Sequence, residues 1–304
     1  MGYWQERADE SRALVDKIEA NSFKRLNKLL KTVLKDVQRQ IREFDEENAN
    51  ERLTPEQRRN ILKTLRQTKD YDKRDFYLRA LYKENSKLYV IDRLQQLNIS
   101  LQIALTRLTR RQQTEINSTL KQAGRQAYSF YADEFSNNFG IDLHTISMQN
   151  IERLANTAWA GSKNWSDRIW SDRTKLGYAL EDVLKTGLAE GKSLQKIARD
   201  IRKKFNTSNY NAMRLVRTET THVHEQSALQ FYKDTGVHKY EFMAYIDERT
   251  SETCTALNGK RFDIDDAEVG VNYPPMHPNC RSTTAPVVDK QTLNEFEEKY
   301  GLNE

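Results

Sequence analysis

The side chains best suited to chemistry lie near the end of the chain. Cys254 and the triplet His277-x-x-Cys280 supply two thiols and an imidazole, donors suited to a tetrahedral zinc ion. Three donors are one short of a closed structural site, so Asp247, or His222 or His224 from an upstream segment, would have to complete it. Two other arrangements suit the same residues. In one, Pro274, Pro275 and Pro278 stiffen the loop YPPMHPNCRSTTAPVV, His277 bonds to backbone, and the cysteines are small buried residues. In the other, Cys254 and Cys280 form a disulfide. That requires an oxidising compartment, and MGYWQERADESRALV lacks the apolar stretch of a signal peptide.

A second set could activate water. Glu219, His222, Asp247 and His277 around a divalent ion would have the composition of a metal-dependent hydrolase or nuclease. Against this, His222 and His224 are two apart and point to different sides of a helix. No Gly-rich phosphate loop, nucleophile elbow or paired-carboxylate signature is present. The simpler expectation is a non-catalytic chain in which Arg217, Glu219, Asp247 and Arg249 form one buried polar network fixing helix to strand.

The elements that position these residues follow from periodicity. KYEFMAYID alternates apolar and polar residues from Tyr240 to Ile246, as a half-buried strand does, and Asp247 ends it. A helical turn around Cys254–Leu257 is closed by Asn258-Gly259. Upstream, Ser193 is placed to cap KIARDIRKKF, with Ile197, Ile201 and Phe205 facing inward, and Ser208 to cap a separate helix carrying Arg217 to His224. Trp159, Trp165 and Trp170 mark a packed corner or an interface anchor.

The front of the chain is different in kind. Residues 6–47 read as one long helix with a narrow stripe of Leu14, Ile18, Leu26, Leu30, Val33, Val37, Ile41 and Phe44, a face for a partner helix in this chain or another. Thr54-Pro55-Glu56-Gln57 restarts a short helix with Ile61, Leu62 and Leu65. From about Ser86 to Phe135 apolar residues from Leu88 and Ile91 onward recur at helical spacing, interrupted only by Gly124; Tyr128, Phe130, Tyr131 and Phe135 cluster at the end as core. Asn137-Asn138-Phe139-Gly140 resembles a helix stop and divides 1–138 from 139–304.

At 304 residues, 37% apolar and 31% charged, the chain can bury a core while leaving much helix solvated. Residues 51–130 hold 17 basic against 8 acidic residues, a balance of +9, whereas 241–304 carry −7. The basic segment reads either as a solvated face or as a surface for phosphates, with Arg107, Arg110, Arg111, Lys121 and Arg125 as the DNA-contacting candidates. No apolar run is long enough to cross a bilayer, so a soluble chain made in the cytoplasm is expected.

Taken together, the blocks RLVRTETTHVHEQSALQFY, DERTSETCTALNGKRF and YPPMHPNCRSTTAPV resemble the C-terminal domain of the Mu F-like minor head proteins, head morphogenesis proteins of tailed bacteriophages. The resemblance rests on Arg217, Thr218, Glu219, Asp247, Arg249, Thr250, Cys254, Gly259, Pro274, Pro275, His277, Pro278, Cys280 and Arg281, within a core motif over 209–288. Many members carry a second Cys three residues before the one matching Cys254; here that position is Ser251. The periodicities above lead to the expectation of a mostly α chain, with long extended helices in the N-terminal half and a compact α+β C-terminal domain holding a small antiparallel sheet. The resemblance implies a minor structural protein of the phage head, a virion protein acting at the portal vertex in head assembly, with DNA packaging or ejection as further roles. Its partners would be the portal protein, scaffold or major capsid protein, and double-stranded DNA.

Overall fold

The computed structural model describes residues 2–46, 93–140, 146–159, 161–190 and 194–301, with Glu56, Arg59, Asn60, Lys63, Thr64, Leu143 and Lys192 besides. The bounded elements are α1 (Tyr3–Glu46), α2 (Arg93–Phe139), α3 (Met148–Asn156), α4 (Trp165–Ala189), α5 (Leu194–Thr235), β1 (Lys239–Met243), α6 (Glu252–Leu257), β2 (Arg261–Asp263), β3 (Thr283–Val287) and α7 (Lys290–Tyr300). The chain is mostly α, with long helices in its N-terminal half and one small antiparallel sheet near its C-terminal end.

The helices persist because Gly and Pro are scarce in them. α1 contains neither, and α2 contains only Gly124 before it stops at Gly140. There φ is +69° and the Gly140 N–H donates to the Ser136 carbonyl at 2.8 Å, a left-handed cap that a side chain would strain. α5 is longer than its sequence suggests. No break occurs at Ser208, and Leu194–Thr235 is continuous for 42 residues. The Thr207 hydroxyl donates back to the Lys203 carbonyl at 3.2 Å, so this polar stretch satisfies itself inside the helix rather than capping a new one.

Other expectations fall outside the described residues: Thr54, Pro55, Gln57, Ile61, Leu62, Leu65, Leu88, Ile91, Ser193, and the side chains of Ile41 and Phe44. Glu56, Arg59, Asn60, Lys63 and Thr64 are helical, and the Thr64 hydroxyl donates to the Asn60 carbonyl at 2.9 Å.

The chain forms two compact units, and their boundaries fall inside helices rather than at 138/139. One unit comprises Met1–Arg25, Thr114–Arg168 and Asn211–Glu304; the other comprises Leu26–Gln113 and Ile169–Tyr210. A divided layout of this kind arises because α1, α2, α4 and α5 each supply residues to both. The second unit is an aliphatic helix core of Leu30, Val33, Val37, Leu101, Leu105, Leu108, Leu180, Leu184, Ile197, Ile201 and Phe205.

The first unit is built on aromatics. Tyr128, Tyr131 and Phe135 of α2 meet Phe231 and Tyr232 of α5, Tyr240 of β1, Tyr273, and Phe296 of α7, while Phe130 is partly buried beside them. Each ring removes a large apolar area from water, and the edge-on pairs such as Phe135 with Phe231, centroids 5.0 Å apart, suit the ring quadrupoles. The sheet has the order β2-β1-β3, all antiparallel, with Tyr240 opposite Phe262 and Pro286, and Phe242 opposite Thr284. β1 is shorter than its alternation suggests. Beyond Met243 the Ala244 N–H leaves the ladder for the Asn258 side chain at 2.9 Å, and Tyr245 and Ile246 are exposed.

Candidate functional site

The cysteine cluster is assembled by three local structures. Ser251 caps α6, its hydroxyl accepting the Cys254 N–H at 3.2 Å, which places Cys254 on the first turn with its side chain buried. β1 supplies Phe242, which packs against Cys254 and Cys280. The proline block supplies the rest: a cis Pro274–Pro275 bond leads to a turn in which Cys280 N–H reaches the His277 carbonyl at 3.1 Å and Asn279 takes φ +63°. Asn tolerates that left-handed conformation better than most residues.

α5 receives this turn on two threonines one helical turn apart. The Asn279 N–H donates to Thr218 Oγ1 at 3.0 Å, and the Thr221 hydroxyl faces the Cys280 carbonyl at 3.1 Å. Arg12 of α1 then donates to Thr221 Oγ1 at 2.9 Å, so the first helix supports the helix that supports the turn.

The outcome is convergence of all three sequence candidates. Cys254 Sγ lies 3.4 Å from His277 Nε2 and 3.9 Å from Cys280 Sγ, and the three donor atoms all lie within 4.8 Å of one another. Both cysteines are free thiols. They share a proton unequally: donation from the Cys280 thiol lowers Cys254 to about 6, and the same contact together with burial pushes Cys280 up. His277 Nδ1 is 3.0 Å from the Pro278 carbonyl, which fixes the proton on that nitrogen and turns the Nε2 lone pair inward. Ser251 Oγ is 3.0 Å from that same Nε2.

Asp247 does not join them. Its Oδ1 accepts the Arg249 N–H at 2.8 Å and the Arg281 guanidinium at 2.6 Å, and these two bonds hold its carboxyl far below the usual range. The Asp-x-Arg-Thr segment is therefore a turn whose carboxylate anchors the arginine that ends the proline block. Arg281 also sits over the Tyr245 ring at 4.5 Å.

The single network of Arg217, Glu219, Asp247 and Arg249 is likewise three separate groups. Glu219, buried on α5, accepts from Arg168 at 2.7 Å and from the Trp159 indole at 3.0 Å, and burial raises its carboxyl against their pull. Arg217 instead pairs with Glu19 of α1 at 3.5 Å and lies over Phe23. Asp247 and Arg249 remain with Arg281. Arg217 and Glu219 are two apart on α5 and cannot turn to a common partner.

His222 faces neither cluster. It is 2% exposed, stacks on Trp159 at 5.0 Å, and neither ring nitrogen has a hydrogen-bond partner among the described residues; burial lowers its pKa to about 3. His224 was more informative than the sequence suggested. Its Nε2 is 3.1 Å from Ser11 Oγ and its Nδ1 2.8 Å from Glu225 Oε1, and Glu225 also accepts from Thr283 at 2.7 Å and Thr284 at 2.9 Å. The order Ser–His–carboxylate is that of a nucleophile triad, but Ser11, His224 and Glu225 are each 0% exposed, so no substrate reaches them. They join α1, α5 and β3. The only sequence signal was a run of polar residues where a helix face should be apolar.

Of the basic candidates on α2, Arg107, Arg111 and Arg125 are exposed and Arg110 is half-buried, while Lys121 pairs with Glu152. Arg107 and Arg111 are one turn apart and share a face.

A family model described as Phage Mu protein F like protein matches residues 179–285. The NAD(+)–arginine ADP-ribosyltransferase EFV of Enterococcus faecalis is 33% identical over 184 residues, covering 56% of this chain and 38% of that protein. An uncharacterized protein of Haemophilus influenzae is 22% identical over 175 residues, covering 57% of this chain and 38% of its own length. The chain thus spans less than two fifths of the length of either relative. No solved structure matches it. The matched segment includes the α5 threonines, the Asp247 turn, Cys254 and the proline block as far as Ala285, so over residues 179–285 the chain is similar to the Phage Mu protein F like family, the one its C-terminal blocks resemble.

Proposed function

We propose that this chain is a minor structural protein of a tailed-phage head, acting at the portal vertex during assembly and carried inside the virion. Its partners are the portal protein, a scaffold or major capsid protein, and double-stranded DNA bound without sequence preference. The observation that carries this reading is the family match over residues 179–285.

The use of the motif residues supports a non-catalytic role. Thr218, Thr221, Asp247 and Arg281 bind the proline block or one another, so they act as a clasp. A hydrolase would need Glu219, His222, Asp247 and His277 around one ion. Glu219 is engaged by Arg168 and Trp159, Asp247 by Arg281, and His277 belongs to the cysteine cluster. Arginine ADP-ribosylation, named for the Enterococcus relative, belongs to a protein of which 38% is matched, and is not assigned to this chain.

Cross-linking mass spectrometry on DNA-filled particles from producing cells tests the reading. The protein is expected inside particles with the portal protein as a cross-linked neighbour. Recovery outside particles only, or metal-dependent DNA cleavage by the purified protein, would overturn it.

A further inference from the structure

We propose that Cys254, His277 and Cys280 bind one zinc-class divalent ion, with the fourth position taken by the Ser251 hydroxyl or a water held by it. The spacing of the donors is the main argument. A tetrahedral ion with metal–sulfur bonds of about 2.3 Å and a metal–nitrogen bond of about 2.0–2.1 Å separates two sulfurs by roughly 3.8 Å and sulfur from nitrogen by roughly 3.5 Å. The corresponding separations here are 3.9 Å for Cys254 Sγ to Cys280 Sγ and 3.4 Å for Cys254 Sγ to His277 Nε2. The two sulfurs are much too far apart for a disulfide, which requires about 2.05 Å.

The surroundings of the donors agree with this. Metal-binding imidazoles usually donate their second ring nitrogen to a carbonyl or carboxylate, and His277 Nδ1 faces the Pro278 carbonyl at 3.0 Å, leaving Nε2 to the cluster. Cys254 and Cys280 are 2% and 0% exposed, and Phe242, Leu257 and Met276 wall the cluster, which favours a soft ligand set over hydrated magnesium or calcium. Ser251 Oγ, 3.0 Å from Nε2 and at the cap of the helix carrying Cys254, is the oxygen assigned to the fourth position. A neutral hydroxyl is a weaker ligand than a thiolate, so the site binds less tightly than one with four anionic or imidazole donors and keeps one exchangeable position.

Cobalt(II) is the probe, titrated into the full, reduced, chelator-treated chain. One equivalent is expected to produce sulfur-to-cobalt charge transfer and the intense visible bands of tetrahedral cobalt, with zinc displacing it. Cys280→Ser is expected to remove most of the charge-transfer intensity. Ser251→Cys, which adds a thiolate at the fourth corner, is expected to tighten binding at least tenfold and deepen the spectrum. This second variant keeps the test open if Cys280→Ser does not fold. Only the weak spectrum of hydrated cobalt in the unaltered chain would overturn the proposal. A spectrum unchanged in the Cys254→Ser, Cys280→Ser double variant would do the same, as would a Ser251→Cys chain that binds no more tightly.

Discussion

His222 shows how a single residue couples the core to pH. Its ring is buried against Trp159 and its pKa in the folded chain, about 3, lies below the ordinary value of 6.5. Between those two values the unfolded chain binds more protons, so stability falls as pH falls, and the contribution is intact only above about 6.5. At pH 5 the loss is about 2 kcal/mol. Urea unfolding at pH 7 and pH 5 should show this decrement in the unaltered chain and should show it reduced by about that amount in His222→Phe, which keeps the stack. An equal decrement in both proteins would mean that other groups carry the acid sensitivity. The cysteine cluster was legible in the sequence because its donor types have few other uses together and its prolines marked a loop. Partners of the charged motif residues were not legible. Asp247 is satisfied by a backbone N–H two residues on and by Arg281 34 positions away, while Glu219 and Arg217 are met by Arg168 and Glu19 from other helices. Nothing in local spacing aligns those helices.

Among the elements, α1 and α5 depart furthest from a reading by periodicity. Leu14 and Ile18 are only half-buried, and the face of α1 that turns inward before Leu26 is largely polar: Ser11, Arg12, Glu19 and Ser22, with Ala8 and Val15. An apolar stripe is the signal for a packed helix, so a polar face looks like solvent until Thr221, His224 and Glu19's arginines are in place. Arg12 with Glu19 at 2.9 Å and Thr221, and Ser22 with Thr119 at 2.9 Å, show that this half of α1 belongs to the unit containing Asn211–Glu304. Removing residues 1–25 is therefore expected to destabilise that unit, leaving buried groups on α5 unpaired. Limited proteolysis should cut the truncated protein within 211–301 at a protease dose the full chain survives; equal resistance would contradict the packing. Gly124 is a second constraint at this scale. A Cβ there would meet Val223 Cγ1 at 2.9 Å, and Ile151 Cγ2 and Ser227 Oγ at 3.0 Å. Gly124→Ala gains about 1 kcal/mol in helix propensity but costs about 1–3 kcal/mol in overpacking, so a lowered urea midpoint is expected and a raised one would mean the helices part without cost. α7 carried a readable cap, Asp289 accepting from Thr292 at 2.9 Å, but its single buried aromatic, Phe296, gave too little periodicity to mark it.

For the whole molecule, charge distribution carries more than net charge. The chain's +5 conceals +9 over residues 51–130 and −7 over 241–304. DNA affinity, on the proposed function, resides in the basic segment and should fall steeply as salt rises, because neutralised phosphates release counterions. Arg107→Glu with Arg111→Glu, both exposed on α2, is expected to weaken binding tenfold or more at low salt and reduce the slope of log affinity against log salt by about two. Fluorescence anisotropy with two duplexes of unrelated sequence would check both points; binding indifferent to salt, or retained by the doubly reversed chain, would place the contact elsewhere. No helix among the described residues is long and apolar enough to cross a membrane.

The chain of contacts from Arg12 through Thr221 to the Cys280 carbonyl has a bearing on inheritance. Genes that exchange segments by recombination keep working proteins only when a crossover does not separate groups buried against one another. Here the last third of the chain looks like an exchangeable cassette when read as text, yet its proline block rests on a threonine that also receives an arginine 209 positions earlier. A crossover between α1 and α5 would seat a foreign first helix against that threonine, and Ser11, Arg12 and Glu19 would have to arrive with it. The heritable module is thus made of three separated stretches, and hybrids that move the C-terminal stretch alone should be recovered less often than hybrids that also carry the first 25 residues.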